Sequence, residues 1–352
     1  MTTRASDVLF GIETFGDLPL HDSGEPMSHA AALRQVVEEA ALADTVGIDA
    51  VALGEHHRSD FAISSPEMVL AAIAQRTDHV TLGSAVTVLS SDDPVRVFQR
   101  FATLDAVSNG RAEVILGRGS FTESFPLFGY DLADYEVLFE EKLELFAQLL
   151  TERPVTWSGT TRSSLQDADV YPKTDSGSLT TWVGVGGSPE SVIRTARHGF
   201  RLMLAIIGGD PVRFAPYIDL YRRATEKFET SAHPVGIHSH GFIAATDQEA
   251  RDSYYPGYKT MRDRIGAERG WPPMTRAQFD AEVAHGSLYV GSPESVAAKM
   301  AVTIDTLGAG RFDLVYTGGG AMPASSRMRA VELFGTQVIP RVRERLAGGT
   351  AS

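Results

Sequence analysis

One feature constrains this chain more than any other: short apolar runs alternate with longer amphipathic stretches along almost its whole length. Eight runs read as strands, at 8–12, 50–53, 80–89, 112–116, 182–185, 201–207, 235–245 and 312–316. Helices are expected at 28–46, 66–76, 94–108, 135–150, 189–198, 211–228, 293–307 and 325–346, where apolar side chains recur at helical spacing. Local chemistry marks several helix ends. Asp93-Pro94 places a capping carboxylate before a proline that suits a first helical turn, and Gly47 and Asn109-Gly110 supply stops. A strand that returns parallel to its predecessor needs a crossover of a dozen or more residues, usually a helix. Eight such units close a (β/α)8 TIM barrel, so the expectation is an α/β fold of that kind, forming a single domain over 1–352. The alternative is an open, doubly wound sheet; no G-x-G-x-x-G follows the first strand to favour it.

Two segments break the rhythm. Residues 151–180 are rich in Ser, Thr, Gly and Asp and read as an insertion after the fourth helix, with one small hairpin. Residues 254–288, which contain Trp271-Pro272-Pro273, read as a second insertion after the seventh strand. Both are expected to shape a pocket or its lid.

Composition removes whole classes of function. There are no cysteines, so disulfides, Cys-ligated metals and thiol nucleophiles are out. A net charge of −13 argues against nucleic acid or an anionic membrane as partner. The first residues lack a basic stretch followed by an apolar run, and no apolar stretch reaches the ~18 residues of a membrane span. A soluble, cytoplasmic protein is expected.

In a barrel the chemistry sits where strands end. After the second strand comes Gly54-Glu55-His56-His57-Arg58, with histidines suited to moving protons near neutrality. Within the third, Gly83, Ser84 and Ala85 are small enough for a flat ligand to approach the backbone, although tight packing explains them equally well. After the fourth, Arg118 stands between Gly117 and Gly119 and suits an anion. After the fifth, Gly186-Gly187-Ser188-Pro189 opens a helix, whose first amides can hold a phosphate. Together the last two describe one phosphate gripped from adjacent strands. Thr317-Gly318-Gly319-Gly320, after the eighth, is a competing phosphate loop. His238 and His240 share one face of the seventh strand and read more simply as wall residues than as metal ligands.

The ordered set Glu55-His56-His57, the run 83–89 leading to Pro94-Val95-Arg96, Asn109-Gly110-Arg111 leading to Gly117-Arg118-Gly119, Tyr171-Pro172, Gly186-Gly187-Ser188-Pro189-Glu190 and Val290-Gly291-Ser292-Pro293-Glu294 resembles the bacterial luciferase-like monooxygenase family across about residues 8 to 340. The resemblance implies a TIM barrel that binds reduced FMN, usually released by a separate reductase, or coenzyme F420 in a sister branch. It implies a flavin-dependent monooxygenase acting with O2 on a small organic substrate, with a homodimer as its assembly. It makes His56 the proton-handling residue, with Glu55 beside it. It makes Ala85–Val86 a cis peptide under the flavin ring, Arg118 and Gly119 part of the phosphate grip, and Gly186, Gly187 and Ser188 the phosphate loop. No metal is implied. The chain departs from luciferase itself, with Gly117 in place of a reactive cysteine and Phe121 in place of a tyrosine, so the resemblance does not extend to light emission or a long-chain aldehyde. Three rival readings are F420-dependent hydride transfer, a metal-dependent barrel hydrolase built on His56 or His57 with His238 and His240, and a flavin-binding protein without turnover.

Overall fold

A computed structural model describes residues 7–119, 121–318 and 322–349. Its strands are β1 Leu9–Thr14, β2 Ala50–Leu53, β3 Thr81–Ser84, β4 Thr87–Val88, β5 Glu113–Gly117, β6 Val155–Trp157, β7 Leu165–Ala168, β8 Thr180–Val185, β9 Arg201–Ala205, β10 Gly236–Ile243, β11 Tyr289–Gly291 and β12 Arg311–Val315. The main sheet runs β3-β2-β1-β12-β10-β9-β8-β5-β4 and is parallel throughout, with β11 added beside β10. Its two ends are halves of a single chain run. The run pairs with β2 through Thr81–Ser84 and with β5 through Thr87–Val88, and a Leu82–Ala112 bridge links the ends. The eight expected strands therefore wrap into a barrel, with the third broken at the cis Ala85–Val86 peptide.

The helices cover the outside because their apolar stripes demand it. Pro94–Val107 begins where Asp93 Oδ1 accepts the amides of Val95 at 2.9 Å and Arg96 at 3.3 Å, and it buries Val97, Phe98, Phe101 and Leu104. Outward-facing strand residues such as Phe10, Val51, Val114 and Leu202 complete this shell of apolar packing. Fully burying such side chains contributes roughly 1.5–3 kcal/mol each.

The barrel interior is of another kind. Ala52, Ala85, Ile115, Trp182 and Met203 form a small apolar cluster. Beside it lies a buried charge network. Arg311 holds Asp313 through Nε at 2.8 and 2.9 Å and Glu113 through Nη1 at 2.6 Å, and Trp182 Nε1 donates to Glu113 at 3.1 Å. These charged residues fill inward positions low in the barrel and leave space above them.

The two irregular segments differ in character. Residues 151–180 contain the β6–β7 antiparallel hairpin, off the main sheet. Residues 254–288 are mostly helical: Asp247–Arg269 begins before the segment, and Arg276–His285 follows behind a Thr275–Gln278 capping box. The sequence reading missed both helices and β11, because Pro256 and the Trp-Pro-Pro turn mask the helical period.

Candidate active site

A cavity of about 340 Å³ opens at the C-terminal mouth of the barrel. Five of the strand-end groups singled out from sequence line it: Glu55, His56, the Ala85–Val86 peptide, Arg118 with Gly119, and Gly186. Gly187 and Ser188 lie just beyond, at the start of the next helix. Gly319 and Gly320, from the competing loop, lie outside the described residues, as does Ser120.

His56 is buried among aromatic rings. Phe15 stacks on it at 4.9 Å, Phe61 lies tilted at 4.5 Å, and Phe121 meets it edge-on at 4.4 Å. Its Nδ1 is 3.1 Å from Glu123 Oε1. Burial works to raise the Glu123 pKa, yet the contacts with His56 and with backbone amides hold it below the usual carboxylate range. An ionised Glu123 accepts a hydrogen bond from the His56 Nδ1–H, which leaves Nε2 as the ring's acceptor. Sequence reasoning passed over Glu123, which lies inside a Ser/Phe-rich loop and 67 residues from its partner.

Glu55 does something different. Its Oε1 accepts the Val88 amide at 2.6 Å, and its Oε2 lies 3.4 Å from His57 Nε2. The contact with Glu55 raises the His57 pKa, against the effect of burial. The Glu55 carboxylate thus ties the second strand end to the chain just past Ala85–Val86.

The floor of the cavity is made of small residues. A Cβ on Gly117 would come within 2.5 Å of Val86, one on Gly184 within 3.0 Å of Val86, and one on Gly54 within 2.7 Å of the Ala85 carbonyl. Any larger residue at these positions would collide with the cis peptide or lift it.

At the next rim, Arg118 donates to Ser191 Oγ at 3.1 Å and pairs with Glu136. Ser188 caps the helix Pro189–Arg197 by accepting the Ser191 amide at 3.3 Å, and Gly187 has φ +119°. A guanidinium and a helix N-terminus converge there, as an anion requires. In this state the carboxylates of Glu136 and Glu190 occupy their hydrogen-bonding reach.

On the remaining wall stand His238 and His240, read from sequence as wall residues, but Glu13 beside them was not anticipated. Glu13 and His238 pair at the base of the cavity, and Glu13 also faces Asp313. Burial pushes Glu13 up to about 7, against Asp313 and Arg311, and pushes Asp313 up to about 7 despite Arg311. A signal for Glu13 existed in the sequence: it stands alone in an apolar strand at an inward position. Phe15 separates this wall from His56, since its ring also lies 6.5 Å from that of His238. Among the described residues no three His, Asp or Glu side chains could hold a metal ion.

This geometry can be set beside known proteins. The family model of the luciferase-like monooxygenases matches residues 14–310. The chain belongs to that family. Its relatives include a 4-hydroxyprotoasukamycin monooxygenase from Streptomyces nodosus subsp. asukaensis, 29% identical over 95% of this chain and 93% of that one. Among solved structures, the monooxygenase RslO1 from Streptomyces bottropensis superposes with a TM-score of 0.80 at 25% identity, covering 94% of this chain and 99% of its own. The fold is shared with the oxygenating constituent of 3,6-diketocamphane monooxygenase from Pseudomonas putida, solved with FMN (TM-score 0.75, 17% identity, 95% and 98% covered). It is shared equally with an F420-dependent secondary alcohol dehydrogenase (0.72, 18%, 95% and 99%). This luciferase-like protein is thus a TIM-barrel member of a monooxygenase family, and a flavin-type cofactor or F420 suits its fold.

Proposed function

We propose that the cavity binds reduced FMN and that the protein uses it with O2 to oxidise a small organic substrate. One observation carries the reading: an anion-binding rim, Arg118 with the Ser188–Ser191 helix start, adjoins a floor of small residues at Ala85–Val86, with His56 at the same cavity. A flat ring and a phosphate fit these two parts, and neither substitutes for the other. Arg118, Gly119, Gly186, Gly187 and Ser188 would hold the phosphate, and Ala85 and Val86 the ring side. When bound, reduced flavin supplies the electrons that activate oxygen.

The protein's own residues do the rest. Glu123 fixes the tautomer of His56, so that its Nε2 takes or returns a proton at the substrate. Phe15, Phe61 and Phe121 keep water from that nitrogen. Glu55, through Val88, positions the floor. The fold relative from Pseudomonas is named as an oxygenating constituent, which supports delivery of reduced FMN by a separate reductase. We read residues 1–352 as one catalytic domain, working as a cytoplasmic homodimer on the family pattern; no helix among the described residues is long and apolar enough to cross a membrane.

The second reading is F420-dependent hydride transfer, favoured by the shared fold. F420 carries an acidic tail, and the net charge of −13 opposes it. Anaerobic titration with reduced FMN and reduced F420 in parallel, followed by oxygenated buffer, separates the two. Tight FMN binding, with a transient absorbance after the oxygen pulse that free reduced FMN does not give, upholds the first reading. Preference for F420 without oxygen uptake establishes the second.

A further inference from the structure

Around the closed sheet, β10 lies four strands from β3 in one direction and four from β4 in the other. It therefore stands diametrically across the barrel from the Ala85–Val86 floor. His238 and His240, two apart on β10, both line the cavity on that far side. The mechanism above uses neither.

Their situations differ. His238 Nδ1 is engaged by Glu13. His240 Nδ1 is buried without a hydrogen-bond partner among the described residues. Behind it the protein offers rings, with Tyr258 5.9 Å away edge-on and Tyr254 stacked on Tyr258. Nδ1 itself has almost no accessible surface, so the cavity meets His240 at the rest of its ring, and an imidazole that no described residue hydrogen-bonds in a ligand cavity points to a ligand.

The surroundings define what that ligand is. Met261 and Ile265, from the helix Asp247–Arg269, join Phe15 and Phe61 in an apolar enclosure. Among the described residues Arg118 is the sole Arg or Lys lining the cavity, and it belongs to the proposed phosphate rim; Glu13, Asp17, Glu55 and Glu123 line it too. Burial holds both wall histidines uncharged at neutral pH. An anionic substrate would meet carboxylates with no free cation. A cationic one would lose its water in an apolar enclosure whose acids are already engaged: Glu55 by Val88, Glu123 by His56, Glu13 by His238 and Asp17 by Thr317.

We infer that His240 is a specificity-determining residue, which takes a single hydroxyl or carbonyl of a neutral, largely apolar organic substrate on the wall opposite the flavin floor. This rests on the flavin reading for where the cofactor lies. A neutral imidazole keeps one donor and one acceptor, so it serves either oxygen function. A site built to hydrogen-bond an oxygen discriminates strongly against analogues that lack it, because the wall group is then left unpaired.

The test uses three probes of one shape: 4-propylphenol, 4-propylbenzoate and 4-propylbenzylamine. Their affinities are measured by calorimetry on FMN-loaded protein and on protein without flavin. The phenol should bind at least about tenfold tighter than either charged probe. His240→Phe, which keeps the ring volume, should lose about tenfold in phenol affinity while FMN affinity holds. His240→Gln, which restores a donor and an acceptor, should recover most of it. Equal or better binding of a charged probe, no binding of the phenol, or a His240→Phe variant that binds the phenol as the wild type does would each overturn the assignment. Failure of the wild type to take up FMN would instead sink the flavin reading, and the series without flavin would still decide the role of His240.

Discussion

Glu55 and Val88 stand 33 residues apart, and a carboxylate oxygen of the first accepts the backbone amide of the second at 2.6 Å. This bond joins the end of β2 to the chain immediately past the cis Ala85–Val86 peptide. The carboxylate next to His56 in sequence lines the cavity and is at the same time tied to the chain that follows the Ala85–Val86 peptide.

Glu55→Ala should leave the buried Val88 amide unsatisfied and cost about 1–3 kcal/mol of stability. It should also loosen flavin binding. Glu55→Gln keeps an acceptor and should restore most of both, measured by urea denaturation and flavin titration. A pH dependence accompanies this. The His57 pKa is raised in the fold by Glu55, so its contribution is complete below the ordinary value of 6.5 and fades as pH climbs through the folded value. The stability gap between wild type and Glu55→Gln should therefore be widest at acid pH and narrow as pH rises.

His56→Asn should lower turnover by about 10²–10⁴-fold, the usual worth of a placed acid or base. Flavin affinity should hardly change. Glu123→Gln should lower turnover less, since an amide still accepts from Nδ1 but no longer favours its protonated form. Oxygen-consumption rates with a flavin dissociation constant measured alongside would check both. Full turnover of the His56 variant would remove this residue from the mechanism.

Arg118→Ala should weaken FMN binding by about 1.5–3 kcal/mol, the loss of a hydrogen bond to a charged group. Glu136→Gln should do the opposite and tighten it, because Glu136 competes with the phosphate for the same guanidinium. Riboflavin, which lacks the phosphate, should bind both variants as it binds the wild type. Unchanged FMN affinity in Arg118→Ala would place the phosphate elsewhere.

Arg311→Met should destabilise the protein by about 3–5 kcal/mol, as expected when one partner of a buried ion network is removed. Among the described residues Arg311 is the one cation that pairs with Asp313 and Glu113, and Glu13 sits beside them. Thermal unfolding would register this as a large fall in Tm. A surface pair such as Arg76–Glu38, with both side chains about half exposed, should by comparison be almost silent when broken.

The sequence by itself determined the barrel. Strand and helix periods, the crossovers they require and the caps at Asp93 and Ser188 are local properties, and the structure repeats them to within a few residues. It also determined the strand ends at His56, Arg118 and Gly186, because a parallel barrel gathers all its strand C-termini at one mouth, whereas the break of the third strand at Ala85–Val86 came from the structure. Only the tertiary structure decided what those residues touch. Glu123 reaches His56 from a loop after β5, Phe15 from the loop after β1, and Met261 from a helix that proline and tryptophan disguised. Glu13, His238 and Asp313 lie on three different strands and become one network when β1, β12 and β10 pair side by side. The periodicity of a sequence fixes which face a side chain takes; the closure of the barrel fixes which neighbours that face will meet, and the pKa of a buried acid depends on those neighbours.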